Sequence, residues 1–442
     1  MPFFSVVSVS LCDLCVGVFS GIVQVMLEFP LVGLQTPRMR RVGILSLLFA
    51  FTAGAVCAMW PHKAVDLRVY HAAARSFFLQ SGAMYGPNQE FGWPMIYRYP
   101  PFFLCLFRPF ASLPLAAVAG IWAASKVLLL GVVTWMWYRR YPPSHFGPAL
   151  WISGLLLLPY LVYELQVGNV QLFLVEMVCL ALLLCDQHPF VSSLVLGLAA
   201  AVKVWPAFVL PFLAVRGRKR WRIGAQTLIG TGVFTVMPGF WLGWSNLFHL
   251  LKQWFLQEQR INALLGDRWY PSQSLRGVML RYLTHVDYSG LPDQNYRHVN
   301  FVSLISWEVR QFWLVLAIVL GLLALLWVYR CAQEGAAYSI FFCALLIIEP
   351  NVQRLAYVTL LWPMLYAGIV MTDQKAPPFT RWLLMGAAAV AVVEPLVPGS
   401  RWARLAQVLG IDVFGVLVPL TVVLLAYSSW GLSAPLWAPR AK

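Results

Sequence analysis

Long apolar runs alternate with short basic or proline-rich breaks along most of the chain. A helix needs about 20 apolar residues to cross the hydrocarbon core of a bilayer. By that measure the runs at 42–60, 115–138, 146–163, 170–185, 222–243, 311–329, 336–349, 355–371, 382–397 and 412–431 read as membrane spans. Residues 190–215 read as a short up-and-down pair, broken near Lys203 and Pro206. The pattern predicts an all-α, polytopic membrane protein of about 12 transmembrane helices.

Two stretches between spans carry a different period. In 66–81 the apolar positions Leu67, Val69, Tyr70, Ala73, Ala74, Phe77 and Phe78 recur at helical spacing, which predicts an amphipathic helix lying in the interface. In 97–113 the run between Pro100-Pro101 and Pro114 is too short to span, and reads as a second juxtamembrane helix whose Arg98 and Arg108 reach toward water. Residues 244–310 form the other long segment, with an amphipathic stretch over 270–283.

Charge orients these elements. Arg38, Arg40, Arg41, Arg139, Arg140, the cluster RGRKRWR (216–222), Arg330, Lys375, Arg381, Arg440 and Lys442 fall on one side, which the positive-inside rule assigns to the cytoplasm. Segments 61–113 and 244–310 are then external. Composition agrees, with 60% hydrophobic and 11% charged residues. The net charge of +15 belongs to topology in such a chain, and nucleic acid is not an expected partner. The cysteines give no disulfide framework, and Cys12-x-x-Cys15 lacks a second ligand pair. Residues 1–38 are set apart as an N-terminal extension, because Met39 opens a better membrane-protein start. They carry no basic n-region or A-x-A cleavage site. Residues 39–442 are read as one transmembrane domain. No internal repeat is visible, which argues against a transporter built on inverted repeats.

Candidate chemistry lies at the outer ends of helices. Asp66 follows the first span at the membrane surface, where it reads either as a helix N-cap or as a general base toward an incoming hydroxyl. Lys203 lies in an apolar run ahead of a proline, as a snorkelling cation or a holder of an anionic headgroup. The turn QVGNVQ offers Gln166, Asn169 and Gln171, whose amides could bind sugar hydroxyls or simply form a polar turn at Gly168. Glu349, Asn351, Gln353 and Arg354 share another outer junction. There Arg354 offers a fork suited to phosphate, or pairs with Glu349. Gln273, Ser274 and Arg276 precede the second amphipathic stretch. His71 is the histidine nearest the other candidates. No Walker A loop, HExxH, GxSxG or zinc-spaced CxxC pair is present, which removes an ATP-driven transporter and a zinc protease.

The order of these features resembles glycosyltransferase family 87, the polyprenol-phosphate-mannose-dependent mannosyltransferases of GT-C fold. The series runs from Asp66 with Tyr70, Ala72 and Ala73 through Gly82, Tyr85 and YRYPP (97–101). It continues with QVGN (166–169), AAAVKVWPAFVLPFL (199–213), PSQSLRG (271–277) and EPN (349–351). The resemblance implies a hexose, mannose in that family, moved with inversion from a polyprenyl-phosphate donor to a hydroxyl of a glycolipid or glycan acceptor. The reaction would take place on the outer face of a cell membrane, periplasmic if the membrane is a bacterial inner one. It places the general base on Asp66 and the donor phosphate on Lys203, to which chemistry adds Arg276 and Arg354. Tyr70, His71, Tyr97, Gln166, Asn169, Gln273, Glu349 and Asn351 are then candidates for sugar or acceptor binding. The leaving group is already a phosphate, so a base, cations and positioning suffice; no cofactor is implied and no ligand cluster for a metal is visible. Where family members often carry histidine after the helix ending at Glu349, this chain has Gln353-Arg354. The competing readings are a flippase or transporter of lipid-linked substrates, and a ligase using a diphosphate-linked oligosaccharide.

Overall fold

The computed structural model describes residues 37–86, 96–265, 272–288, 297–374, 376–393 and 401–429. Most of the N-terminal extension, with Cys12 and Cys15, lies outside these residues, as do Lys375, Arg440 and Lys442. The described residues are helical, apart from connecting loops and a single β-bridge between Ser272 and Gln353. Five helices are long and apolar enough to cross a membrane: Leu115–Arg140, Phe146–Val167, Arg220–Leu242, Ser306–Arg330 and Arg354–Thr372. Shorter apolar helices, among them Gln171–Leu184, Pro189–Val202 and Glu334–Ile348, fill the other expected spans. This is an all-α polytopic membrane protein.

The chain clusters into two compact units. The first draws on Met1–Met136, Glu176–Val204 and Ala225–Phe255. Its helices are α1 (Pro37–Met59), α2 (Val65–Leu79), α3 (Pro101–Phe107), α7 (Pro189–Val202), the start of α10 (Trp244–Leu265) and large parts of α4 (Leu115–Arg140), α6 (Gln171–Leu184) and α9 (Arg218–Val236). Small residues set its helix crossings. Gly54 and Gly120 face each other on α1 and α4, and a Cβ on Gly54 would stand 3.0 Å from the Gly120 carbonyl oxygen. Ala124 and Ala58, one turn along each helix, close the same contact. Without a hydrophobic drive between helices in lipid, such close backbone approach is what supplies packing energy. Gly197 does the same for α7 on α9, where a Cβ would lie 3.1 Å from both the Thr227 oxygen and the Thr231 nitrogen.

The amphipathic helix expected over 66–81 is α2. Its buried face carries Leu67, Val69, Tyr70 and His71 through Ala74. The short helix α3 and the 3-10 turn Arg108–Phe110 follow Pro100-Pro101 as expected. Tyr70 sits edge-on to Tyr99, Phe103, Phe107 and Trp122, with centroids 5.1–6.5 Å away. That geometry suits aromatic quadrupoles and pins α2 to α3 and α4.

The second unit draws on Trp137–Val175, Trp205–Gly224 and Leu256–Lys442. It contains α5 (Phe146–Val167), α8 (Val209–Val215), α11 (Leu275–Leu283), α12 (Ser306–Arg330), α13 (Glu334–Ile348), α14 (Leu361–Thr372), α15 (Pro378–Val393), α16 (Arg401–Leu409) and α17 (Val418–Ser429). The span Arg354–Thr372 is its core, with 94% of its apolar window buried, against 17% for Ser306–Arg330. The first is therefore a protein-packed helix and the second presents its apolar side chains outward. Ser153 ties α5 to α14, donating to the Met364 carbonyl at 3.0 Å. Within the long segment expected at 244–310, the described residues include the helices α10 and α11.

Candidate active site

In the first unit, α1 ends at Met59 and α2 begins at Val65. Asp66 is therefore in the first turn of α2 and not its N-cap. That position falls to Ala64, which has no side-chain oxygen to offer. A carboxylate in a first helical turn still gains from the positive end of the helix dipole. Asp66 is half-buried. One turn on, the Tyr70 hydroxyl donates to Tyr99 at 2.9 Å, and His71 lies buried with Nε2 3.0 Å from the Leu113 carbonyl. Tyr97 is buried and donates to the Pro100 carbonyl at 3.1 Å. These contacts fix the backbone that carries Asp66.

Lys203 stands where the expected break falls. Helix α7 stops at Val202 because Pro206 would leave the Val202 carbonyl without its helical donor. Lys203 is extended at φ −150°, ψ 141°, and half-buried. A 3-10 turn, Trp205–Phe208, leads into α8. The lysine is thus at a helix end, with its chain direction free of the helical lattice.

In the second unit the turn after α5 behaves as its sequence suggests. Gly168 adopts φ 74°, ψ 26° and its N–H closes onto the Glu164 carbonyl at 2.9 Å. Asn169 Oδ1 accepts from the Gln171 N–H at 2.9 Å, and Gln171 Nε2 donates to Thr359 Oγ1 at 3.1 Å. The Asn169 amide is thus committed to the turn, whereas Gln166 is exposed.

The two polar stretches 272–276 and 349–354 form one junction. Ser272 bridges Gln353, and the Gln273 N–H meets the Val352 carbonyl. Ser274 caps α11, accepting from the Gly277 N–H at 3.0 Å and donating to the Pro350 carbonyl at 2.8 Å. Glu349 caps the end of α13. The Tyr357 hydroxyl donates to the Gln273 backbone carbonyl at 3.0 Å, and the Gln273 side chain donates from Nε2 to the Gln407 carbonyl at 2.8 Å. Arg276, half-buried, lays its guanidinium 5.3 Å over the Trp313 ring and donates from Nη2 to Asn351 Oδ1 at 3.0 Å. Burial pulls its guanidinium below the ordinary value.

Arg354 lies deeper than its sequence position suggests. Nη2 donates to the Ala391 carbonyl at 3.0 Å, Cζ stands 5.3 Å over Tyr160, and Nη1 is 3.9 Å from Asp412 Oδ1. Asp412 also accepts from the Tyr160 hydroxyl at 2.8 Å. Asp412, a carboxylate beside Arg354, is thus 58 residues away in sequence.

A family model for glycosyltransferase family 87 matches residues 97–350. The chain belongs to glycosyltransferase family 87. The family match holds Tyr97, Gln166, Asn169, Lys203, Gln273, Arg276 and Glu349; Asp66, Tyr70, His71, Asn351 and Arg354 lie outside it. Two curated relatives carry the name polyprenol-phosphate-mannose-dependent alpha-(1-2)-phosphatidylinositol mannoside mannosyltransferase. The Mycobacterium tuberculosis protein is 26% identical over 49% of this chain and 53% of its own length. The Mycolicibacterium smegmatis protein is 30% identical over 49% of this chain and 52% of its own. A second M. tuberculosis protein, named for the pentamannoside, is 28% identical over 57% of this chain and 59% of its own length. The chain thus spans about half the length of the curated relatives it matches. No solved structure matches it.

Several polar groups of this family 87 chain escaped the sequence reading. Lys126 and Glu176 are fully buried within α4 and α6, and Lys126 Nζ lies 5.4 Å over Trp122. The signal was present, since both stand in apolar runs as Lys203 does. Arg281 is buried on α11 and donates to the carbonyls of Val408 and Ser272 at 2.8 and 2.9 Å. No local pattern announces it.

Proposed function

We propose that this protein is a membrane mannosyltransferase. In this reading it moves mannose from a polyprenyl-phosphate donor to a hydroxyl of a glycolipid or glycan on the outer face of the membrane. The match to family 87 over more than half the chain carries the reading, and the names of the mycobacterial relatives support mannose and a lipid-linked acceptor.

Asp66 is the proposed base. It takes the acceptor hydroxyl proton as that oxygen bonds to the anomeric carbon. The bond from the anomeric carbon to the phosphate oxygen breaks on the opposite face, so the configuration inverts. Polyprenyl phosphate departs with an added negative charge, which a cation in a water-poor site stabilises. Lys203 is the proposed cation in the first unit. In the second unit Arg276 is the better phosphate ligand of the two arginines proposed there, because Arg354 is buried against Ala391, Tyr160 and Asp412. Gln166, exposed beside the Gly168 turn, is a proposed hydroxyl contact, and Asn351 orients Arg276.

The test is release of free polyprenyl phosphate from polyprenyl-phosphate-mannose by the purified protein, with a lipid extract of the source organism as acceptor. Release coupled to a mannosylated lipid supports the transferase. Movement of the donor across the bilayer without release supports a flippase and overturns it.

A further inference from the structure

Arg276 is an unfavourable residue for its position. It is the second residue of α11, at the positive end of a helix dipole, where a cation costs a few tenths of a kcal/mol. Three elements nevertheless hold its guanidinium. Ser274 and the bridge from Ser272 to Gln353 fix the start of α11 against the 349–354 junction, and Asn351 takes Nη2 at 3.0 Å. Trp313, in the second turn of α12, supplies a flat face 5.3 Å from Cζ.

Trp313 itself makes a poor structural filler. Its side chain is buried, and its Nε1 has no hydrogen-bond partner among the described residues. A buried donor without an acceptor costs about 1–3 kcal/mol. Phenylalanine would cover similar area with no such cost. What indole offers over phenylalanine is a stronger attraction for a cation over its face.

We propose that Trp313 is a positioning residue for the transfer: its indole face holds the Arg276 guanidinium in the orientation that meets the donor phosphate. This rests on the reading of Arg276 as a donor-phosphate cation. Trp313 acts through Arg276 and touches no reacting atom.

The test uses the full chain in nanodiscs and equilibrium binding of radiolabelled polyprenyl-phosphate-mannose, with melting temperatures measured alongside. Trp313→Ala should weaken binding by roughly 3- to 30-fold, the range a cation–π contact spans. In an Arg276→Ala background the same substitution should cause no further loss. Trp313→Phe guards against unfolding. It should melt no lower than the wild type while binding the donor less tightly than the wild type, because the orphaned donor is gone but the cation is less firmly held. Wild-type affinity in Trp313→Ala, or losses that add in the double variant, would overturn the proposal. If the wild type binds and Arg276→Ala binds equally well, Arg276 leaves the donor site and this proposal falls, while the mannosyltransferase reading stands. No binding by the wild type removes both.

Discussion

Glu334 receives Arg220 on one carboxylate oxygen at 2.6 Å and Arg140 on the other at 2.7 Å. Tyr141 adds a hydroxyl at 3.0 Å, and Arg220 also donates to the Tyr338 hydroxyl at 2.6 Å. One acid thus fastens the end of α4, the first turn of α9 and the start of α13. Removing one member of such a largely buried cluster strands the others, which costs about 3 kcal/mol. Glu334→Gln should lower the melting temperature of the purified protein clearly, and Arg330→Gln, at an exposed position, should hardly change it. Equal melting of both variants would contradict the assignment.

Gly197 permits the close crossing of α7 and α9. Adding a side chain against the Thr227 and Thr231 backbone forces the helices apart, because backbone cannot move aside as a flexible side chain can. Gly197→Val should cost about 1–3 kcal/mol, the range for overpacking. Gly147→Val, where nothing lies within 4 Å of the added Cβ, is the control. Thermal melts of the two variants decide.

Ser274 both caps α11 and reaches Pro350. Its replacement by alanine should cost about 0.5–2 kcal/mol as a lost cap. It should also loosen Arg276, so donor binding should weaken alongside stability. Restoration of both by Ser274→Thr would confirm that the hydroxyl is what matters.

Asp412 is buried beside Arg354, and its Oδ2 has no hydrogen-bond partner among the described residues. Asp412→Asn keeps an oxygen for Tyr160 but removes the charge facing Arg354. Removing one partner of a buried ion pair costs about 3–5 kcal/mol. The variant should lose stability, and Asp412→Asn combined with Arg354→Met should recover much of it. A double variant no better than the single would show that the two do not act as a pair.

The helices, the break at Lys203, the turn at Gly168 and the amphipathic helix α2 are legible in the sequence because each depends on local chemistry: apolar period, proline, glycine. The junction of 272–276 with 349–354 was legible only as two polar stretches. Their bridge depends on a pairing of backbones about 80 residues apart, which no period encodes. Arg140 and Arg220 carry the pattern of topology charges, and nothing local points to Glu334, which lies 114 residues beyond Arg220. The contact between Arg354 and Asp412 joins positions 58 residues apart, which no local pattern links. Trp313 looked like one apolar residue in an apolar span, and only the cation above its ring sets it apart.

The proposed base is a carboxylate in the first turn of α2 that accepts the proton of the attacking hydroxyl. The direct measurement compares polyprenyl phosphate release by the wild type and by Asp66→Asn, with donor binding and melting temperature recorded for both. Release should fall at least about 100-fold, the contribution expected of a general base, at unchanged binding and stability. Release by Asp66→Asn at the wild-type rate would contradict it.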